Sequence, residues 1–200
     1  ALNPPAMSEE QVQRAMFNAA EVIENWRDER GHMRQVFNAN LMAVLTEEQR
    51  AGWPALERRL TREKTINKGK LSGESVDLIH MVSQMALTPE ALEHLRPVMA
   101  EYEVRLDAAL TQRNQAVEQS QRALLRAVRA KDTPAIQAIL EREVRARTVV
   151  RDVNDEVAAA IGAQLTGDDA RLFTSTVRSQ GSPRVYRFTQ VQRALAAARE

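Results

Sequence analysis

Apolar side chains recur every three or four residues along most of the chain, which is the spacing of one face of an α-helix. The first such run begins after Ser8, which together with Gln11 matches the S/T-x-x-E/Q capping box that starts a helix. Its apolar members are Val12, Met16, Ala19, Val22, Ile23, Trp26, Met33, Phe37, Leu41 and Val44. Convincing strand patterns are not found. The pattern predicts an all-α protein whose first helix bends or breaks near Gly31.

The longest predicted helix begins at Thr88 and Pro89, an N-cap residue followed by a proline at the favoured first position. Alternating steps of three and four residues then continue through Leu92, Leu95, Met99, Tyr102, Leu106, Ala109, Arg113, Ala116, Ser120, Ala123 and Ala127. Thr133 and Pro134 predict a restart, with Thr133 as the cap, and the partner helix extends to about Gln164. Because this connection is short, residues 88–164 should form an antiparallel helical hairpin.

Shorter helices are predicted on both sides of the hairpin, at about 47–68, 76–86, after Thr166 and at 189–199. The expected fold is an elongated helical bundle of about six or seven helices organised around the hairpin. Residues 1–70 would form an N-terminal helical hairpin, and residues 71–200 the long hairpin with short C-terminal helices. A single continuous domain is the alternative.

Composition and charge exclude several functional classes. The 200 residues include 28 basic and 27 acidic side chains, so no overall field favours nucleic acid. The absence of cysteine excludes disulfides, thiolate zinc sites and cysteine nucleophiles. No run approaches the ~18–20 apolar residues of a membrane span, so membrane insertion is not expected. The chain begins at Ala1 rather than at a methionine, which suggests either a mature end after signal-peptide removal or an arbitrary boundary.

Motifs for catalysis or cofactor binding are not found. The chain has no Gly-rich phosphate loop, nucleophile elbow or zinc-protease motif, so we expect no enzyme and no cofactor. Glu29 with His32, and Asp77 with His80, each place a carboxylate and an imidazole one helical turn apart. A di-iron site would also need a glutamate from each of two further helices, so we interpret these pairs as coincidence. A looser transition-metal site, combining His32 or His80 with the methionine that follows it, remains an alternative.

Two polar residues interrupt the apolar seam of the longest helix. Arg113 and Ser120 occupy positions that are expected to be buried. Either a carboxylate from the partner hairpin pairs with Arg113, or the seam opens there to solvent or to a second subunit. The other conspicuous charges, including Arg142, Arg145 and Arg147 among acidic residues, are interpreted as ion pairs on a solvated helix face.

Three helix starts share a Leu-Thr pair, and the first, at residues 45–49, reads Leu-Thr-Glu-Glu-Gln in full. This stretch resembles the LTxxQ motif of the Spy/CpxP family of all-helical periplasmic proteins. The other copies depart from the motif, since Ala91 and Asp169 stand where it has glutamine. The resemblance implies that the motif residues are structural, closing helical hairpins; here they would be Leu45, Thr46, Gln49, Leu87, Thr88, Leu165 and Thr166.

The resemblance also implies a function. Proteins of this family bind unfolded clients on a helical surface without ATP, and they dimerise. We therefore expect an exported, periplasmic, chaperone-like or envelope-stress protein that is a homodimer and binds unfolded or partner proteins; a cytoplasmic location is not excluded. The alternatives are a sensor or resistance protein binding zinc, copper or nickel, and a non-enzymatic structural or partner-docking module.

Overall fold

The computed structural model describes residues 8–186, in which all regular elements are helical. The chain divides into two compact units, Ala1–Pro54 and Ala55–Glu200, and the division falls within a helix. The α-helices are α1 (Glu9–Val44), α2 (Glu47–Thr65), α3 (Leu78–Gln84), α4 (Pro89–Ala130), α5 (Thr133–Gln164), α6 (Gly167–Gly181) and α7 (Pro183–Tyr186). A short 3₁₀ turn, Ile66–Lys68, follows α2. The predicted all-α fold is confirmed, while the helix predicted at 189–199 lies outside the described residues.

The first unit contains α1, which starts at the capping box predicted from the sequence. The Ser8 hydroxyl accepts from the Gln11 backbone N–H at 3.2 Å, and the Gln11 side chain accepts from the Ser8 N–H at 2.9 Å. The sequence predicted that this helix bends or breaks near Gly31. The helix runs unbroken to Val44, so the prediction of a break is wrong. One glycine costs a helix only about 1 kcal/mol, which is too little to interrupt a long one.

A second capping box separates α1 from α2. Leu45 is extended, the Gln49 side chain accepts from the Thr46 N–H at 2.9 Å, and the Thr46 hydroxyl accepts from the Gln49 N–H at 3.3 Å. Glu47 and Glu48 stand in the first turn of α2, where negative charge is favoured. Local side-chain chemistry therefore ends one helix and begins the next at this point.

The second unit contains the predicted hairpin, formed by α4 and α5. Thr88 caps α4, its hydroxyl accepting from the Ala91 N–H at 3.2 Å. The turn differs in detail from the prediction, because Asp132 rather than Thr133 caps α5, accepting from the Ala135 N–H at 2.9 Å. Lys131 adopts a left-handed conformation with φ of 54°, which ends α4 and brings Asp132 into the capping position.

The core of this unit lies in the half of the hairpin that is remote from the turn at Lys131. Its fully buried apolar residues include Leu95, Tyr102, Leu106 and Leu110 of α4, Val150, Val157 and Ile161 of α5, Leu78 of α3 and Phe173 of α6. Closer to the turn, the buried residues are small, such as Ser120, Ala127 and Ala146. The hairpin therefore changes from a multi-helix core to a thin two-helix arm along its length.

The remaining predicted starts have mixed outcomes. Leu87 and Leu165 are both buried in the core, immediately before α4 and α6. Thr166 occupies the N-cap position of α6, but its hydroxyl makes no capping hydrogen bond, so its predicted role as a side-chain cap is wrong. Gly167 follows with φ of 58°, a conformation outside the helical region. Among the described helices, none is long and apolar enough to cross a membrane.

Candidate functional site

The most unusual feature of the second unit is a buried carboxylate between two buried guanidinium groups. Glu74 lies in the segment between the 3₁₀ turn and α3, and its side chain is fully buried. Its Oε1 atom accepts from Arg113 Nη1 of α4 at 3.1 Å and from Arg147 Nη1 of α5 at 3.0 Å. The other oxygen, Oε2, accepts from the backbone N–H groups of Lys70 at 2.7 Å and Leu71 at 3.0 Å. Both carboxylate oxygens are therefore satisfied.

The two arginines use their remaining donors on carbonyl groups of α2 and the 3₁₀ turn and on side chains of their own helices. Arg113 Nη2 donates to the Thr65 carbonyl at 2.6 Å and to Asn114 Oδ1 at 2.9 Å. Arg147 donates from Nε and Nη2 to Glu143 Oε1 at 3.0 and 2.8 Å, and from Nη1 to the Lys68 carbonyl at 3.3 Å. Burial lowers the pKa of Arg113, and the hydrogen bond to Glu74 opposes this effect.

A second buried pair, Tyr102 and Asn154, lies close to Glu74 along the same segment. The Tyr102 hydroxyl donates to Asn154 Oδ1 at 2.8 Å, and Asn154 Nδ2 donates to the Gly73 carbonyl at 2.8 Å. Both side chains are almost completely buried, and burial raises the pKa of Tyr102. We call these five residues, Glu74, Arg113, Arg147, Tyr102 and Asn154, the buried polar centre.

The geometry of the buried polar centre fits an anchor better than a catalyst. Its charged groups face one another and the backbone of residues 65–73, so their hydrogen-bonding capacity is directed inward. A buried ion pair in this arrangement holds a loop in one conformation rather than presenting a group to a substrate. It therefore fixes the connection between α2 and α3 against the hairpin.

The same segment is also tied to the end of α6. The Gly73 N–H and the Ser72 hydroxyl donate to the Gly181 carbonyl at 2.8 and 2.7 Å, and the Ser72 and Ser182 hydroxyls lie 2.5 Å apart. Gly73 has φ of 82°, and a Cβ there would lie 3.1 Å from Arg151 Cγ. An open cleft of about 490 Å³ lies between residues 69–75 and 180–185.

Sequence reasoning identified Arg113 but missed its partner. The expected carboxylate exists, but it comes from Glu74, which lies in the loop before α3 and not in a helix of a partner hairpin. Arg147 was assigned to a solvated face, and this is wrong, because the side chain is only 5% exposed. Ser120 is buried as predicted, and its hydroxyl has no hydrogen-bond partner in the described structure. Sequence reasoning also missed Asn154, whose signal is its position four residues after Val150 and three before Val157, on the apolar face of the predicted helix.

The predicted motif residues are not part of this centre. They lie at helix starts, where Thr46 and Thr88 make capping hydrogen bonds and Leu87 and Leu165 pack in the core. The Asp77–His80 spacing also has a structural explanation, since Asp77 caps α3 by accepting from the His80 N–H at 3.0 Å and pairs with Arg62 at 3.1 Å. Across the described residues there is no group of three histidine, aspartate or glutamate side chains that could hold a metal ion.

Two exposed apolar helix faces complete the set of candidate sites. On α5, Leu140 and Val144 are 47% and 49% exposed and line an open groove of about 450 Å³ with Ile136. On α1, large apolar side chains from Val12 to Val44 are exposed along the helix. Because single exposed apolar residues are normal but contiguous ones mark interaction surfaces, these two faces are the best candidates for binding.

Comparison with known proteins adds no relative. No protein-family model, no curated protein and no solved structure matches this chain.

Proposed function

We propose that this protein is a non-enzymatic, chaperone-like protein that binds apolar segments of unfolded or partner proteins without ATP. The observation that carries the proposal is the exposed groove on α5, where the thin arm of the hairpin leaves Leu140 and Val144 half exposed. Because each side chain is already half buried, covering it with a client contributes only about 1 kcal/mol, so a few contacts give weak and reversible binding.

The edges of the groove favour a client that carries both apolar and charged side chains. Gln137, Glu141 and Arg145 border the apolar residues, and Arg145 pairs with Glu141 at 3.7 Å on the surface. A surface ion pair of this kind is worth little, so either charge can turn toward a ligand at small cost. The groove thus offers apolar contacts with nearby polar groups of both signs, which suits clients of varied sequence.

The expected setting of this activity is part of the same proposal. By its resemblance to the Spy/CpxP proteins, the protein acts after export to the periplasm and works as a homodimer. In this proposal Leu45, Thr46 and Gln49 support the fold and do not touch the client.

An aggregation assay tests the proposal. The purified protein, at stoichiometric ratio, should suppress the aggregation of several unrelated unfolded proteins. Leu140→Gln combined with Val144→Gln should remove most of this activity, because it makes the groove polar. The matched control is Leu172→Gln combined with Val104→Gln, which changes the same residue types at 55% exposed positions elsewhere.

Three results would contradict the proposal. Absence of suppression by the unmodified protein would reject chaperone-like activity, and capture of a single stable partner without effect on other clients would indicate a docking module. Equal loss of activity in the groove variant and its control would show that the groove on α5 is not the client surface.

A further inference from the structure

The exposed apolar residues of α1 follow a stricter pattern than a general binding surface needs. Steps of four and three residues alternate without a break along one stripe, formed by Val12, Met16, Ala19, Ile23, Trp26, Arg30, Met33, Phe37, Asn40 and Val44. All of these are apolar except Arg30 and Asn40. A repeat of 3.5 residues sustained over whole heptads is the pattern with which one helix packs along another in a coiled coil.

This stripe lies on the surface. The large apolar members are between 43% exposed, at Val12, and 77% exposed, at Val44. Clients of varied sequence do not require a regular heptad spacing, whereas a partner helix with the same spacing does. We infer that α1 is the surface through which two copies of this chain pair, as a parallel, in-register coiled coil. This inference rests on the homodimer of the proposed function and assigns its interface.

The charges beside the stripe favour the parallel arrangement. In a parallel pair, the residue just before each stripe position that is reached by a step of four faces the residue five positions later in the other helix; Arg30 and Phe37 are two such positions. Glu29 of one copy would then face Arg34 of the second copy, and the reciprocal pair forms at the same time. The next such pair along the helix is apolar, with Val36 facing Leu41.

The antiparallel alternative places like charges together. With the full stripe overlapped in that direction, Arg27 would face its own equivalent on one side, and Glu29 would face its own equivalent on the other. Like charges at such positions are destabilising and select against an arrangement. The flanking charges of α1 therefore distinguish between the two directions.

In the parallel, in-register pair, Arg30 would face its own equivalent at a core position, and so would Asn40. Polar residues at such positions set the register and the oligomeric state at a cost in stability. The Arg30 guanidinium carbon lies 4.5 Å from the centre of the Trp26 ring, so it is already stacked on an apolar neighbour of the stripe. In the parallel pair, Glu29 of the second copy lies next to this position and supplies an opposite charge. The apolar area offered by two copies is on the order of 1,000 Å², which is the lower range for a specific interface.

Disulfide cross-linking of engineered cysteines can show which residues of the two helices lie together, because the natural chain has no cysteine. Ala19→Cys places a thiol on the stripe, and Asn18→Cys places one on the neighbouring exposed position off the stripe. Under mild oxidation of the full chain, Ala19→Cys should form a covalent dimer and Asn18→Cys should not. Cross-linking that required a mixture of Ala19→Cys with Phe37→Cys would instead show an antiparallel pair and overturn the parallel arrangement.

A charge exchange provides an independent readout by analytical ultracentrifugation. Glu29→Arg alone and Arg34→Glu alone should each weaken dimerisation roughly tenfold, because each turns two attractive pairs into repulsive ones. The double variant should restore it. Failure of restoration would contradict the pairing of Glu29 with Arg34.

The outcomes separate this inference from the proposed function. A wild-type protein that stays monomeric would overturn both the homodimer and the interface on α1, while the aggregation assay would still report client binding by the groove on α5. A dimer that persists in Ile23→Asp combined with Phe37→Asp would overturn only the assignment of α1 as its interface.

Discussion

Glu74 shows how a single residue can determine the conformation of a loop. Removing a carboxylate from water costs several kcal/mol, and attraction to partners compensates only when the geometry is good. Here the oxygens have four close donors, two from guanidinium groups and two from the backbone. The arrangement adds conformational specificity, since a displaced loop would leave both arginines buried without their shared counter-charge.

We predict that Glu74→Gln destabilises the protein by about 3–5 kcal/mol, because it leaves Arg113 and Arg147 buried beside a neutral amide. Urea denaturation followed by circular dichroism measures the change. The matched control is Glu63→Gln, which removes an exposed carboxylate paired with Arg59 at 2.8 Å and should alter the midpoint little. Equal stabilities of Glu74→Gln and the natural protein would show that the ion pairs contribute no net stability.

Tyr102 should make stability fall at alkaline pH. Burial raises its pKa above the unfolded value of about 10, so the folded protein keeps the phenol proton after the unfolded chain has lost it. The unfolded state then binds fewer protons, and the stability decreases by at most about 1.4 kcal/mol per pH unit above pH 10. This contribution is fully present below that pH.

The Tyr102→Phe variant tests this prediction. It should be less stable at neutral pH by about 1–3 kcal/mol, because the buried Asn154 Oδ1 atom loses the hydroxyl that donates to it. Its unfolding free energy should then fall less steeply than that of the natural protein between pH 9 and pH 11, measured by urea titration at each pH. Identical slopes would show that Tyr102 does not control the alkaline loss of stability.

The sequence could identify one half of the buried polar centre but not the other. Arg113 was conspicuous because it interrupts a long apolar seam, and a buried arginine needs an acceptor. Glu74 carries no such signal, since it lies in a short polar loop and meets Arg113 only after folding. Arg147 was misassigned because nearby acidic residues one turn away suggested a surface pair, and charge spacing alone does not reveal burial.

At the scale of single elements, helix starts were predictable because their causes are local. The capping boxes at Ser8 and Thr46 are present as the spacing predicted, and Thr88 caps α4. Thr166 failed because a side-chain cap also requires the right backbone geometry in the residues that follow, and Gly167 has a positive φ there. The Asp132 cap was missed by one residue, which is a common error for a turn of this length.

Two glycines give a matched test of local backbone chemistry. Gly73→Ala should destabilise the protein by at least ~1–2 kcal/mol, because alanine disfavours φ of 82° and its Cβ would lie 3.1 Å from Arg151 Cγ and 3.3 Å from Asp155 Oδ1. Gly162→Ala, within α5, meets nothing within 4 Å and should stabilise by about 0.5–1 kcal/mol.

Thermal or urea denaturation of both variants gives the comparison, with the same side chain added in each. A stabilising Gly73→Ala would mean that the segment containing Glu74 adopts a different backbone conformation in solution. The opposite signs of the two stability changes are stronger evidence than either value alone, because errors common to both measurements cancel.

At the scale of the whole molecule, the two compact units differ in how they are stabilised. The second has a core between α3, α4, α5 and α6, together with the buried polar centre. In the first, no residue of α1 with a described side chain is buried. An isolated helix is only marginally stable in water, so the stability of α1 depends on packing against another surface.

Hydrogen exchange at several protein concentrations should therefore separate the two units. Backbone amides of α4 and α5 around Tyr102 and Val157 should exchange slowly at every concentration, because they open only when the core unfolds. Amides of α1 should exchange much faster in dilute solution and slow down as the concentration passes the dimerisation constant. In Glu29→Arg this transition should move to higher concentration, since repulsion from Arg34 weakens the pair. Protection of α1 that matches the core at all concentrations would mean that its stability does not come from a second copy, because an intramolecular contact does not respond to mass action.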